Sequence, residues 1–220
     1  MKSDVLVRRF GRVEYLPTLE RMREFSSQRQ ADTPDEIWLL EHPSVYTLGL
    51  AGDPRHVLAV GDTPIVKTDR GGQVTWHGPG QLVAYVLLDL RRLGLGPREL
   101  VRKLEAAVVA LLAERDIKGE VRPGAPGVYV AGAKIASLGL RIRNGRSWHG
   151  LALNVAPDLS AFSGINPCGY EGLAVTSLAQ LGLKATLEQV GDDLAGHLCR
   201  AFYGALSPAI IETSHEPSGS

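Results

Sequence analysis

The stretch GVYVAGAKIASLGLRIRNGRSWHGLALNV, residues 127–155, decides the fold class. Residues 127–130 and 135–142 read as paired strands and 148–155 as another, because apolar and β-branched residues dominate each run. No helical period separates them. Strands that succeed one another without a helix favour a mixed or antiparallel sheet, since a parallel pair needs a long crossover. Outward from this core, residues 5–7 form a short strand candidate. Residues 15–29 read as a helix, with Tyr15, Leu19, Met22 and Phe25 at three- and four-residue spacing. Residues 37–41, 45–48 and 65–68 are extended runs, and 82–89 is strongly strand-like. Residues 97–115 form the longest helix: Pro97 suits its first turn, and Leu100, Leu104, Val108 and Leu111 make one apolar stripe. Residues 177–180 and 186–189 each carry a capping-box pattern. The first predicts a short helix, and the second a longer one that buries Val190, Leu194, Leu198, Ala201 and Phe202. The expectation is one α/β domain of α+β character over residues 1–210, a mixed, largely antiparallel sheet with helices on one side. A flexible polar tail, 211–220, follows it.

The chain has 220 residues, 44% of them apolar, and 24 basic side chains balance 24 acidic ones. That composition supports a real core and lies far from the disordered class. It gives no basic excess for nucleic acid, and the pairs Arg8-Arg9 and Arg91-Arg92 read as solvated surface. The N-terminus lacks the apolar run of a signal peptide, and no segment approaches a membrane span. A cytoplasmic setting, where thiols stay reduced, is expected. There are two cysteines, neither in a paired Cys-x-x-Cys spacing. The set His42, His77, His149 and Cys168 matches no close-ligand zinc pattern, so no metal is expected.

Four phrases carry candidate chemistry. In the first, Cys168 stands between Pro167 and Gly169, a setting that fixes a turn and presents a thiol. A presented thiol is a candidate nucleophile; an inert, partly buried thiol is the plainer alternative. Cys199, on the apolar face of the last helix, reads as core filler. In the second, Lys134 follows small residues and precedes strand formers. An apolar site would lower its pKa and let it take a proton, whereas an edge-strand lysine would simply face water. The third runs Arg70-Gly71-Gly72-Gln73-Val74-Thr75-Trp76-His77-Gly78. It is no nucleotide phosphate loop. Its glycines admit close backbone approach, Arg70 could hold an anion or a carbonyl, and His77 could orient a ligand or make a structural hydrogen bond. In the fourth, His149, Gly150, Leu151 and Ala152 open a strand and suit a pocket wall or plain sheet packing.

Taken together and in this order, these phrases resemble the lipoyl/octanoyl transferase family, over roughly residues 39–181. The resemblance implies a fold like that of biotin and lipoate protein ligases. It implies that Cys168 is the acyl-thioester nucleophile and that Lys134 lowers its pKa and shuttles protons. His77 corresponds to the histidine near the reacting centre. The substrate-binding stretches correspond to residues 70–77, to Ser137, Leu138 and Gly139, and to Gly150, Leu151 and Ala152, with His149 and Gly78 in support. The implied reaction moves an octanoyl group from phosphopantetheine on acyl carrier protein to a lysine of a lipoyl domain. The implied acceptors are the E2 subunits of 2-oxoacid dehydrogenases and the glycine cleavage H protein. Neither ATP, metal, nucleic acid nor membrane is implied. Trp76 and Trp148 stand where tyrosine is common, and Arg146 where a smaller residue is frequent. An ATP-dependent ligase, a cysteine thioesterase and a non-catalytic carrier-binding module are the competing readings.

Overall fold

The computed structural model describes residues 5–204 and 209–212; the side chains of Cys168 and of 209–212 lie outside the description. Its elements, in chain order, are β1 (Val5–Arg12), α1 (Tyr15–Gln28), β2 (Asp35–Glu41), β3 (Val45–Leu48), β4 (Ile65–Lys67), β5 (Val74–His77) and β6 (Gln81–Leu87). Then come α2 (Pro97–Ala113), β7 (Glu120–Val121), β8 (Gly127–Val130), β9 (Ala133–Arg143), β10 (Arg146–Asn154), α3 (Leu187–Tyr203) and β11 (Ala209–Glu212).

Eight strands form one sheet in the order β11-β1-β2-β6-β10-β9-β8-β7, and β4-β3-β5 form a smaller one. In the large sheet only β11–β1 and β1–β2 are parallel. The remaining pairs, β2–β6, β6–β10, β10–β9, β9–β8 and β8–β7, are antiparallel, as the helix-free run 127–155 predicts. β11 ends at Glu212, two residues beyond the expected domain boundary (212 − 210), and residues 213–220 of the expected tail lie outside the described residues.

Strand alternation divides the core between two faces. Ile37, Leu39, Leu82, Ala84 and Val86 meet α2 and α3. Trp38, Leu40, Val83, Tyr85 and Leu87 meet Tyr15, Leu19 and Met22 of α1. Helices therefore cover both faces rather than the one side expected. The α1 stripe fixes which side of the helix is buried, but not the sheet face that receives it. A third cluster joins Tyr46, Leu48, Val74 and Trp76 of the small sheet to Phe162 and Ile165.

Two further expectations are corrected. The capping box at Thr186 forms in full and starts α3. At Ser177 only half a box forms, with the Gln180 amide donating to Ser177 Oγ at 3.1 Å. The chain then turns at Gly182, φ 86°, and no helix forms before Thr186. The basic pairs are not simply solvated. Arg8 pairs with Glu36, Arg9 with Asp192, and Arg92 with the fully buried Asp35. Among the described residues, no helix is long and apolar enough to cross a membrane.

Candidate active site

A cavity of about 510 Å³ lies where the glycine-rich phrase, β9, β10 and the first turn of α2 converge. Glycines allow that convergence. The Gly71 amide donates to Leu140 O at 2.8 Å, which pins the phrase to β9. A Cβ at Gly139 would come within 3.0 Å of Arg70 Cδ and 3.1 Å of Gly71 O, and one at Gly49 within 2.3 Å of Gly72 O. On β10, a Cβ at Gly150 would sit 2.0 Å from Ala84 O, so only glycine lets β10 approach β6 there.

Arg70, Gly71, Gly72, Gln73, Val74, Thr75 and His77 line the cavity, as do Lys134, Ser137, Leu138, Gly139, His149, Gly150, Leu151 and Ala152. Among the described side chains, two members of the expected set do not. β5 alternates, so the ring of Trp76 turns away and packs edge-on against Phe162, centroids 5.5 Å apart. Gly78 lies beneath that ring, where a Cβ would meet Trp76 Cζ2 at 2.0 Å. Arg70, weighed as an anion or carbonyl holder, takes carbonyls: it donates to Thr47 O at 2.6 Å and Gly71 O at 3.0 Å, and to the Thr47 hydroxyl. It thereby shapes the loop.

Lys134 is buried and does not face water; it is 2% exposed. Its Nζ donates to Pro126 O at 3.0 Å and lies 5.3 Å from the centre of the Tyr129 ring. Gly127, at φ 139°, makes room for it, since a Cβ there would meet Lys134 Cε at 2.8 Å. The backbone of Cys168 belongs to a 3-10 turn, Pro167–Gly169. Gly169 takes φ 79°, and its amide donates to Asn166 O at 2.9 Å. The turn abuts the glycine-rich phrase, where a Cβ at Gly169 would meet Gln73 Cγ at 3.2 Å. Two residues after Cys168, Tyr170 lines the cavity. A few residues further on, Ala174 O accepts from the Lys134 amide at 2.8 Å, and the Thr176 amide donates to Lys134 O at 3.0 Å. The thiol of Cys168 itself falls outside the described residues. Cys199 is buried in α3, and burial pushes its thiol up to about 11.

Built into the cavity wall, and backed by His42, is a set of imidazoles and phenols to which the sequence gives no role beyond His77 and His149. His77 stacks near-parallel on Tyr15, centroids 6.0 Å apart, and stands edge-on to His42. Burial, reinforced by the nearby His42 and Arg70, pushes His77 down to about 3. Burial pushes His42 down to about 4; its Nδ1 donates to Val13 O at 2.6 Å and its Nε2 accepts from the Tyr85 hydroxyl at 2.8 Å. His149 takes a left-handed φ of 61° and donates from Nε2 to Asp69 Oδ1 at 2.8 Å. Burial lowers the His149 pKa in spite of Asp69. Burial opposes ionisation of Asp69, but His149 and Arg23 outweigh it and hold that carboxyl well below its usual range. His42, His77 and His149 are thus neutral at pH 7. The sequence signal for this set was the recurrence of His42, His77 and His149, read there only against zinc. Among the described residues, no group of three or more His, Cys, Asp or Glu could hold a metal ion. Arg146 donates to Ser26 O and Ser27 O at the end of α1, satisfying helix carbonyls that would otherwise lack a partner.

Residues 14–199 match the lipoyl protein ligase A/B catalytic domain family. An octanoyltransferase of Pseudomonas putida is 60% identical over 193 residues, covering 88% of this chain and 90% of that protein. The octanoyltransferase of Thiobacillus denitrificans is 57% identical over 199 residues, covering 90% and 91%. Among solved structures, the bi-partite lipoate protein ligase of Thermoplasma acidophilum superposes with a TM-score of 0.69 at 14% identity, covering 98% of this chain and 88% of that one. The biotin protein ligase of Aquifex aeolicus gives 0.54 at 12% identity, covering 90% and 68%. These two structures share the fold.

Proposed function

The chain belongs to the lipoyl protein ligase A/B catalytic-domain family, and on that premise we propose that it transfers an octanoyl group from acyl carrier protein to the lysine of a lipoyl domain. It is an acyltransferase, as its relatives are. The observation that carries the reading is the cavity, in which a buried lysine, a neutral histidine and three glycine-bearing phrases share one mostly apolar space. The turn bearing Cys168 lies against one of those phrases.

In the proposed mechanism the Cys168 thiolate attacks the thioester carbonyl of octanoyl-carrier protein. The tetrahedral intermediate expels the pantetheine thiolate, which takes a proton from the Lys134 ammonium. Octanoate is then held as a thioester on Cys168. The amine of the acceptor lysine attacks that carbonyl and gives its proton to the now neutral Lys134. Cys168 leaves as thiolate, the amide is formed, and the starting ion pair is restored. This is nucleophilic catalysis in two acyl transfers with ping-pong kinetics. Apolar wall residues such as Val83, Leu138 and Ile142 take the acyl chain, at about 0.8 kcal/mol for each methylene removed from water. The acceptors are lipoyl domains, including those of 2-oxoacid dehydrogenase E2 subunits and the glycine cleavage H protein.

The test is intact-protein mass spectrometry of the enzyme with octanoyl-carrier protein, before and after a lipoyl domain is added. An octanoyl adduct that then passes to the domain is expected, and Cys168→Ala should form none. An adduct of normal yield on Cys168→Ala would reject the nucleophile. Product formed only from free octanoate and ATP would reject the transferase reading.

A further inference from the structure

The His77 ring lines the cavity, and its Nδ1 edge is occupied by Gln81 Oε1 at 2.8 Å. Which of the two atoms carries the proton is decided at the far end of a short chain of amides. Thr176 O is a backbone carbonyl and can only accept. Asn154 Nδ2 donates to it at 3.0 Å, which commits Asn154 Oδ1 to accepting. Gln81 Nε2 therefore donates to Asn154 Oδ1, also at 3.0 Å, and a second carbonyl, Trp76 O, accepts from the same nitrogen at 3.3 Å. That leaves Gln81 Oε1 as an acceptor, so His77 Nδ1 must carry the hydrogen. The other nitrogen, Nε2, of this cavity-lining ring then carries the lone pair. Gln81 and Asn154 are direct cross-strand partners on β6 and β10. Both are almost fully buried, at 2% and 4% exposed. Thr176, where the chain of amides begins, also donates its backbone amide to Lys134 O.

We propose that Gln81, oriented by Asn154, is a positioning residue that locks His77 as the Nδ1–H tautomer, so that His77 acts in the cavity as a hydrogen-bond acceptor and never as a donor to an oxyanion. The inference deepens the acyl-transfer reading above and rests on it for the reaction served. The acceptor edge suits the N–H of the incoming lysine amine, which it orients for attack. It does not suit the negative oxygen of a tetrahedral intermediate. Swapping the lock's polarity would present Nε2–H to the amine and turn an attraction into a clash of donors. The burial that holds His77 neutral keeps the lone pair available at pH 7.

The experiment is nitrogen-15 NMR of histidine-labelled protein at pH 7, with the His77 signals assigned by their loss in His77→Gln. In the wild type, Nδ1 should resonate as a protonated, pyrrole-type nitrogen and Nε2 as a bare, pyridine-type one. Gln81→Met removes the acceptor and should give a tautomer mixture. Its kcat for octanoyl transfer should fall about tenfold or more, short of the 10²–10⁴ that full loss of an acid–base group removes, with little change in KM. A wild-type spectrum with the hydrogen on Nε2 overturns the proposal whatever the variants do. So does a Gln81→Met protein whose tautomer is mixed and whose kcat is unchanged. A wild type with the Nδ1–H signature but no octanoyl transfer overturns the assigned reaction instead, and leaves the lock standing.

Discussion

Replacing Lys134 by methionine separates catalysis from stability. Lys134 is 2% exposed, and its amine donates to Pro126 O at 3.0 Å. Methionine nearly matches its length and keeps its packing against Tyr129. Loss of the donor leaves a buried carbonyl short of a partner, at a cost of about 1–3 kcal/mol. Against this, the variant no longer buries a charged or readily charged amine, a penalty of several kcal/mol in the wild type. The two terms oppose each other, so the net change should stay within about 2 kcal/mol, or roughly 4–8 °C in Tm for a domain of this size. Catalysis has no such offset. If Lys134 gives and takes the proton in both half-reactions, its loss removes a factor of about 10²–10⁴, equivalent to ~3–5 kcal/mol of transition-state stabilisation. The assay measures the initial rate of octanoyl transfer to a lipoyl domain by mass spectrometry, with a thermal melt on the same preparation. Gly127→Ala would press its Cβ on Ala136 O as well as on Lys134 Cε at a φ that disfavours alanine, so it should lower the melting temperature together with the rate. A Lys134→Met protein that melts normally and transfers within threefold of wild type would refute the assignment.

Asp35 is fully buried and accepts from Arg29 at 2.6 Å, Arg92 at 2.7 Å, the Asp89 amide at 2.8 Å and the Tyr203 hydroxyl at 2.6 Å. Asp35→Ala strands the buried Arg29 and should cost about 3–5 kcal/mol in urea unfolding; a loss below about 1 kcal/mol would contradict that account. Stability should also fall on mild acidification. His42 and His77 are pushed down to about 4 and about 3 in the fold, whereas an unfolded histidine titrates near 6.5. As pH drops below ~6.5 the unfolded chain takes up protons that the native chain refuses, so unfolding free energy declines toward pH 4 and is whole above ~6.5. Each histidine adds a slope of at most about 1.4 kcal/mol per pH unit, and urea melts that coincide at pH 7, 6 and 5 would be inconsistent with neutral, buried rings.

The sequence carried much of this architecture because local chemistry and burial agree. Residues 37–40 of β2 and 82–87 of β6 are apolar without interruption, and each run turns out to be buried on both faces. The stripe Leu100, Leu104, Val108 and Leu111 is fully buried in α2. Where local chemistry stops short, the reading fails. Ser177 and Thr186 share one capping pattern, but a cap does not repay helix nucleation by itself. After Thr186 come 17 helical residues, whereas after Ser177 the chain meets Gly182 within five. β5 went unread because its glycine-rich approach resembles a loop, and its pairing partner, β3, is supplied only by the fold.

The site divides along the same line. Cys168, Lys134 and His77 stand out because thiol, amine and imidazole are chemically distinct wherever they occur. Gln81 and Asn154 do not stand out, since a strand amide has no signature of its own. What gives them meaning is register. In the antiparallel pairing of β6 and β10, Asn154 falls opposite Gln81, as Gly150 falls opposite Tyr85. A slip of β6 by one residue would send Gln81 to the other face of the sheet from Asn154 and take the acceptor away from His77. The same register needs Gly150, because any side chain there would collide with Ala84 O. The glycine that lets the strands close and the amide that orients the imidazole are therefore fixed by one pairing. A substitution at Gly150 should accordingly disturb the His77 tautomer as well as the cavity wall.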